Sequence, residues 1–533
     1  MTYQHPPRST VRAPKHLVAS ADQLATTAGN EMFARGGNAV DAAIATNAAI
    51  AVTGPHLCGM GGDLFALVHV DGEVFALNAA GQAGSGADAD ALRSQGFSEM
   101  PFKLDIRSVT VPGCVDGWAA LHERFGSLPL EVIFAPAIQL ASAGFPASPL
   151  LAGVGGRLDP TSRANLAELF DQATSPGSLV RRPGVALALA DLAAGGRDTF
   201  YRGAFGDGLI QLGDGLFTES DLETSQANWV TPLTASVSGV DLHTVGPSTQ
   251  GYLTLGSAHL IDQLHTSGEF PADPNSDEWA HLLIEASTAA GHDRPDRLHE
   301  HADGAALVEE IAGRIDQVDR ERASNRWAPD RDGDTTYLCT AGRSGDGRMM
   351  GVSLIQSNAS GLGSHLVEPN TGINLHNRGM GFNLHPGHPA ELGPGRCPPH
   401  TLSAALATRD GELLSVFGTM GGDAQPQILL QVATRLFHHG QSPGMAINAG
   451  RWALKGPETG FDTWTAASGP SVSIEGHAAD SWIAGLRDRG HVVSSTGPWD
   501  SGFGHAHAIV VEANGTLAGA ADPRTIVGSC AGR

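Results

Sequence analysis

Helical stretches and pairs of short strands joined by Gly-containing turns recur in both halves of this chain, so neither half reads as a purely helical or purely sheet domain. Arranged around one core, that order is an α+β layered plan. From about 20 to 52 the pattern is helical with a break at Gly36-Gly37-Asn38, where Asn38 can cap the second helix and Asp41, three residues on, completes a box-like start. A glycine-rich corner, GPHLCGMGGD at 54–63, leads into FALVHV and EVFALN across Asp71-Gly72, the pattern of a hairpin. At 108–126, SVTVPGCVDGWAALHERFG turns at Pro112-Gly113 into a helix, and from about 130 to 330 helix dominates, with short strands around 234–245. The last helix of that region carries Val308, Ile311, Ile315 and Val318 on one face. SNRWAPDRDGD then reads as a loop, TTYLCT and MMGVSLIQS as a second hairpin over a Ser-Gly-Asp-Gly turn, and ELLSVFGT at 412–419 as a strand. MGGDAQPQ reads as a tight loop and ILLQVATRLFHHG as an amphipathic helix.

Composition narrows the function classes. With 533 residues, 41% hydrophobic and 17% charged, the chain is long enough for two domains or one large layered unit, and disorder is excluded as its class. A formal charge of −23 and the lack of basic runs argue against nucleic acid as a partner. The N-terminal MTYQHPPRSTVRAP has no apolar run of an export signal, and AVDAAIATNAAIAV at 39–52 is too short and too polar to cross a bilayer. A cytoplasmic protein without membrane contact is expected. Cys58, Cys114, Cys339, Cys397 and Cys530 are scattered without a CxxC pair, which suits reduced structural thiols.

Conventional catalytic signatures are missing. GPSTQG at 246–251 fails the spacing of a GxSxG elbow, and no HExxH, phosphate-loop or dinucleotide pattern occurs. His376, His385, His388 and, beyond them, His400 sit among Pro and Gly with no helical i, i+4 pair. They are expected to be solvated loop histidines rather than metal ligands. MGGD is more informative, because Gly421 and Gly422 between a strand and a helix let backbone N–H groups approach a ligand, as an oxyanion hole requires.

A nucleophile is available at RDGDTTYLCTAG, 331–342. If the chain is cut between Asp334 and Thr335, the threonine gains a free α-amine beside its own hydroxyl, and an α-amino group, with a reference pKa of about 7.7–8.0, is a competent general base at neutral pH. The cut can be autocatalytic: the hydroxyl attacks the preceding carbonyl, an ester forms by N-to-O acyl shift, and water releases it. A loop running into a strand is the arrangement such a cut needs.

Six blocks in order, GGNAVDAAIATNAAIAVTGPHLCGMGGD at 36–63, SVTVPGCVDGW at 108–118, VGPSTQGY at 245–252, DTTYLCT at 334–340, TMGGDAQPQ at 419–427 and GAADPR at 519–524, give the chain a resemblance to the γ-glutamyltranspeptidase family of N-terminal nucleophile hydrolases over nearly its whole length. The resemblance implies a four-layer αββα sandwich made as a proenzyme and cut before Thr335, with a large fragment 1–334 and a small fragment 335–533 held together as a heterodimer around one shared core. It makes Thr335 nucleophile and, through its amine, base. It makes Gly421 and Gly422 the oxyanion glycines and Ser357 a supporting hydroxyl, and it requires neither metal nor organic cofactor. Two departures concern the substrate. NAAGQAGSGADADAL at 78–92 lacks the arginine with which the transpeptidases grip the glutamyl α-carboxylate, and Gly381 occupies the place of the carboxylate that holds the α-amino group. His400 and Thr401 replace the family's serine pair, and with Arg378 they are candidate substrate contacts. The favoured expectation is an amidohydrolase or acylase acting on a small-molecule amide through a threonyl ester. A true γ-glutamyltransferase or glutathione hydrolase with a non-standard pocket is the alternative, and a catalytically silent binding protein on the same scaffold is a third.

Overall fold

A computed structural model describes residues 8–324, 335–344, 347–455 and 471–533. Two seven-stranded antiparallel sheets stack face to face. The first runs, strand by neighbouring strand, through Ser529–Gly532, His16–Ser20, Thr336–Arg343, Met349–Ser357, Asp63–Val70, Glu73–Ala79 and Asn228–Val230. The second runs through Val11–Ala13, Leu517–Ala520, His507–Val511, Glu412–Gly418, Ala404–Arg409, Val240–Thr244 and Leu233–Val237. Both sheets combine strands from before and after residue 335. The Thr336–Arg343 strand pairs on one side with His16–Ser20, and its hairpin mate pairs with Asp63–Val70.

Period-two alternation explains the layering. In the first sheet Leu17, Ala19, Phe65, Leu67, Tyr337, Cys339 and Ile355 face the second sheet, where Leu406, Val416 and Ile509 meet them. The alternate residues Val18, Leu64, Ala66, Leu338, Val352 and Leu354 face helices Gln23–Ala34, Ala39–Thr53, Cys114–Phe125 and Leu130–Ala143. On the far side of the second sheet, Phe417, Ala407 and Leu242 pack on Gly251–Thr266, Asp277–Gly291 and Gln425–Ala433. The result is the expected αββα sandwich with a helix layer on each outer face.

Helix Ala39–Thr53 is buried along its whole length, and Asn38 and Asp41 form the reciprocal cap read from the sequence. No helix among the described residues is long and apolar enough to cross a membrane. One element departs from expectation: the stripe Val308–Val318 is not one helix. Helix Gly304–Ala312 stops at Gly313, and Ile315–Gln317 continues as a separate 3₁₀ turn. Gly313 caps the helix, and Arg314 beyond it bonds Ala289 O, Asp293 and Glu310. The loop expected before Thr335, with Asp334 and the Asp-Gly-Asp turn, lies outside the described residues, as do Gly345 and Asp346.

Candidate active site

Thr335 precedes the central strand Thr336–Arg343 by one residue and is fully buried. Its hydroxyl donates to Ser357 Oγ at 3.1 Å. Ser357 ends the neighbouring strand, in register with Asp63, and its Oγ also accepts the Ala359 N–H at 2.8 Å. Antiparallel pairing therefore brings the first and last residues of one hairpin side by side, which places two hydroxyls together without any loop.

The glycine turn approaches from the facing sheet. Gly418, the last residue of Glu412–Gly418, has the Tyr337 ring 2.2 Å from where a Cβ would stand, so only glycine lets this strand end lie against the start of the Thr335 strand. Gly421 (φ 139°) and Gly422 (φ 55°) follow, both in backbone conformations that L side chains rarely adopt. Gln250, from the GPSTQG block, donates through Nε2 to Gly422 O at 3.0 Å and to Thr401 O at 2.7 Å. It thereby couples the glycine turn to the segment carrying His400 and Thr401.

Beyond this turn opens a cavity of about 580 Å³ whose wall includes Arg378, Gly381, Thr401 and Asp423. Arg378 is buried, and its Nη1 lies 3.4 Å from Thr401 Oγ1. Burial lowers its pKa to about 10, opposed by the charge of Asp63, so it stays cationic at neutral pH. Arg294, from the short helix Arg294–Arg297, reaches the same wall and faces Asp423 at 3.5 Å. Arg93, one residue past the arginine-free stretch, lines the cavity too, but Asp90 and Glu391 bind its guanidinium. Thr335 is not part of this wall.

His400 does not face the cavity, and with His376 it corrects the expectation of solvated histidines. Both are fully buried around Asp63: His400 Nε2 lies 3.3 Å and His376 Nδ1 3.5 Å from Asp63 Oδ2. The other carboxylate oxygen accepts the Gly81 and Gly113 N–H groups at 3.0 and 3.1 Å. Burial alone would raise the Asp63 pKa, but the two histidines overcome it and hold the carboxyl well below the usual range. Burial and the nearby Arg378 push His400 down to about 4. His385 is exposed and His388 half-buried, and both line the outer cavity.

Asp63, Arg294 and Asp423 were not singled out from the sequence. Asp63 and Asp423 each follow a Gly-Gly pair, a signal within reach; Arg294, in a polar run, carried none. The five cysteines are free, and burial raises the thiol pKa of Cys397 and Cys530 to about 12, which keeps them out of nucleophilic chemistry.

Comparison with known proteins gives a consistent answer. The family model for gamma-glutamyltranspeptidase matches residues 25–531. An oxamate amidohydrolase proenzyme of Klebsiella pneumoniae is 35% identical over 96% of each chain. A glutathione hydrolase-like YwrD proenzyme of Bacillus subtilis is 30% identical over 96% of this chain and 97% of its own. The crystal structure of a cephalosporin acylase from Bacillus halodurans superposes with a TM-score of 0.88 at 31% identity, covering 100% of this chain and 98% of that one.

Proposed function

The chain belongs to the gamma-glutamyltranspeptidase family, and we propose that it is a self-cleaving threonine-nucleophile amidohydrolase for a small amide whose acyl part carries a carboxylate. Maturation is a cut at Asp334/Thr335. The Thr335 hydroxyl attacks the Asp334 carbonyl, the peptide C–N bond gives way to an ester, and water hydrolyses that ester to leave Thr335 with a free amine. Fragments 1–334 and 335–533 then stay together, because the central strands of the second are hydrogen-bonded between strands of the first.

In turnover the α-amine takes the Thr335 hydroxyl proton as the oxygen attacks the substrate amide. Ser357 holds that oxygen in place, and the Gly421 and Gly422 N–H groups stabilise the tetrahedral oxyanion. The α-ammonium returns its proton to the leaving amine, a threonyl ester remains, and water, deprotonated by the same amine, releases the acid. Arg378 and Thr401, with Arg294 beside them, hold the substrate carboxylate; His400 acts behind them on Asp63 rather than on substrate.

The observation that carries this reading is the buried Thr335–Ser357 hydroxyl pair in a sandwich where Gln250 couples the glycine turn to a cavity whose wall includes Arg378 and Arg294. The relative named an oxamate amidohydrolase accords with an anionic amide. One observation favours γ-glutamyl substrates instead: Asp423 on the cavity wall is a carboxylate that could meet an α-ammonium group. N-terminal sequencing of the smaller fragment should begin at Thr335, and Thr335→Ala should remain a single chain. Compared side by side, kcat/KM should favour oxamate or a glutaryl amide over a γ-glutamyl anilide. A clear win for the anilide transfers the assignment to a γ-glutamyl hydrolase, and an active single-chain protein overturns the mechanism.

A further inference from the structure

Outside the cavity wall, helix Asp277–Gly291 presents His281 and Glu285 one turn apart on the same face, and His491, which follows helix Asp480–Asp488, closes on them. All three are buried, and one ligand atom from each, a ring nitrogen or a carboxylate oxygen, lies within 4.8 Å of the other two. His281 Nδ1 and His491 Nε2 are 2.8 Å apart. The far nitrogen of His281, Nε2, lies 3.0 Å from the backbone carbonyl of Asp319. A carbonyl can only accept, so Nε2 carries the proton and the Nδ1 lone pair of the neutral ring points into the cluster. This is the outer hydrogen bond by which proteins orient a metal-binding imidazole. Glu285 Oε1 accepts the Ser324 N–H at 3.2 Å, which fixes the carboxylate in turn.

We propose that His281, Glu285 and His491 form a binding site for a divalent transition-metal ion of the zinc type. Two imidazoles with one carboxylate suit zinc, cobalt or nickel and disfavour calcium and magnesium, which require oxygen ligands. Metal–nitrogen bonds of about 2.0–2.1 Å in a tetrahedral shell would separate the two nitrogens to about 3.3 Å, so the rings need to part by only about half an ångström. Three protein ligands leave a fourth position for solvent. Among the described residues, Arg489 is a cation near the cluster, and it donates to Asp277 at 3.4 Å and to Arg320 O at 3.2 Å.

The location gives the ion a task. His281 and Glu285 precede residue 335 and His491 follows it, so the ion would staple the two fragments of the mature protein. Asp319 and Ser324, which support the ligands, lead into the segment before Thr335. The staple role rests on cleavage at that point; metal binding does not, and a denaturing gel of the same preparation reports cleavage separately.

Full-length protein stripped with a chelator and titrated with Co²⁺ should form a 1:1 adduct with the visible bands of a four-coordinate N/O site. Zn²⁺ should displace the cobalt and raise the melting temperature. His491→Ala and the isosteric Glu285→Gln should each weaken cobalt binding at least about tenfold, while His301→Ala, a change at an exposed histidine, should leave it unaltered. Absence of a stoichiometric cobalt adduct in the wild type overturns the site, as does an adduct unaffected by Glu285→Gln. Should His491→Ala not fold, the Glu285→Gln comparison decides.

Discussion

Replacing Arg378 by methionine removes a buried guanidinium but keeps most of its apolar bulk. The nearby Asp63 keeps its two backbone donors, Gly81 and Gly113, and both histidines, so a folded protein is expected. What is lost is one charge-assisted contact to the substrate carboxylate, beside the Thr401 hydroxyl that Arg378 meets at 3.4 Å. A hydrogen bond to a charged group contributes about 1.5–3 kcal/mol, and 1.36 kcal/mol is tenfold in rate, so kcat/KM for an anionic amide should fall by about 10- to 150-fold. Most of the loss should appear in KM, since the carboxylate is bound alike in ground and transition states. Arg378→Lys should recover part of it, because a lysine supplies charge without the planar fork. The assay is kcat/KM on an anionic amide and on the matching neutral amide, with melting temperatures as control. An equal fall on both substrates would mean a disrupted site, and no fall on the anion would refute the carboxylate anchor.

Ser357→Ala strips the Ala359 N–H of its acceptor and Thr335 of its partner; a stability loss of about 1–3 kcal/mol and slowed processing are expected, by urea unfolding and timed gels. An unchanged midpoint with full processing would contradict the role given to that hydroxyl. Burial is the main cause that lowers the pKa of His56 and His505 to about 3 and of His400 and His507 to about 4. Their folded values lie below the unfolded one, so the stability they support is complete above about pH 6.5 and drains as pH falls toward 4, by up to about 1.4 kcal/mol per pH unit for each histidine. Urea midpoints flat between pH 7 and 5 would refute this. Asp522→Asn, in the GAADPR block, breaks a buried network in which Asp522 accepts from Arg451 at 2.7 Å and Arg524 at 3.1 Å, and should cost about 3–5 kcal/mol. A shift under 1 kcal/mol in denaturant titration would show that Glu475, which also binds Arg524, carries the network instead.

Local pattern alone disclosed the Asp71-Gly72 hairpin, the Asn38–Asp41 cap, the strands Thr336–Arg343 and Met349–Ser357 and the layered α+β plan, because each is signalled by short-range periodicity, caps or turn residues. The Thr335, Ser357 and Gly421-Gly422 set came from block order in the chain, and the hairpin register then placed Thr335 and Ser357 in contact. Tertiary structure alone decided the rest. His376 and His400 read as loop histidines because their neighbours are Pro and Gly; they are buried because both converge on Asp63, more than 300 positions earlier. Arg294 belongs to the cavity, and His281, Glu285 and His491 to one cluster, only through packing of separate helices. The 308–318 stripe is broken at Gly313, beyond which Arg314 meets both Asp293 and Glu310. Sequence periodicity records the face an element turns to the core, whereas the pairing of buried charges depends on which elements become neighbours, and that is settled only when the layers close.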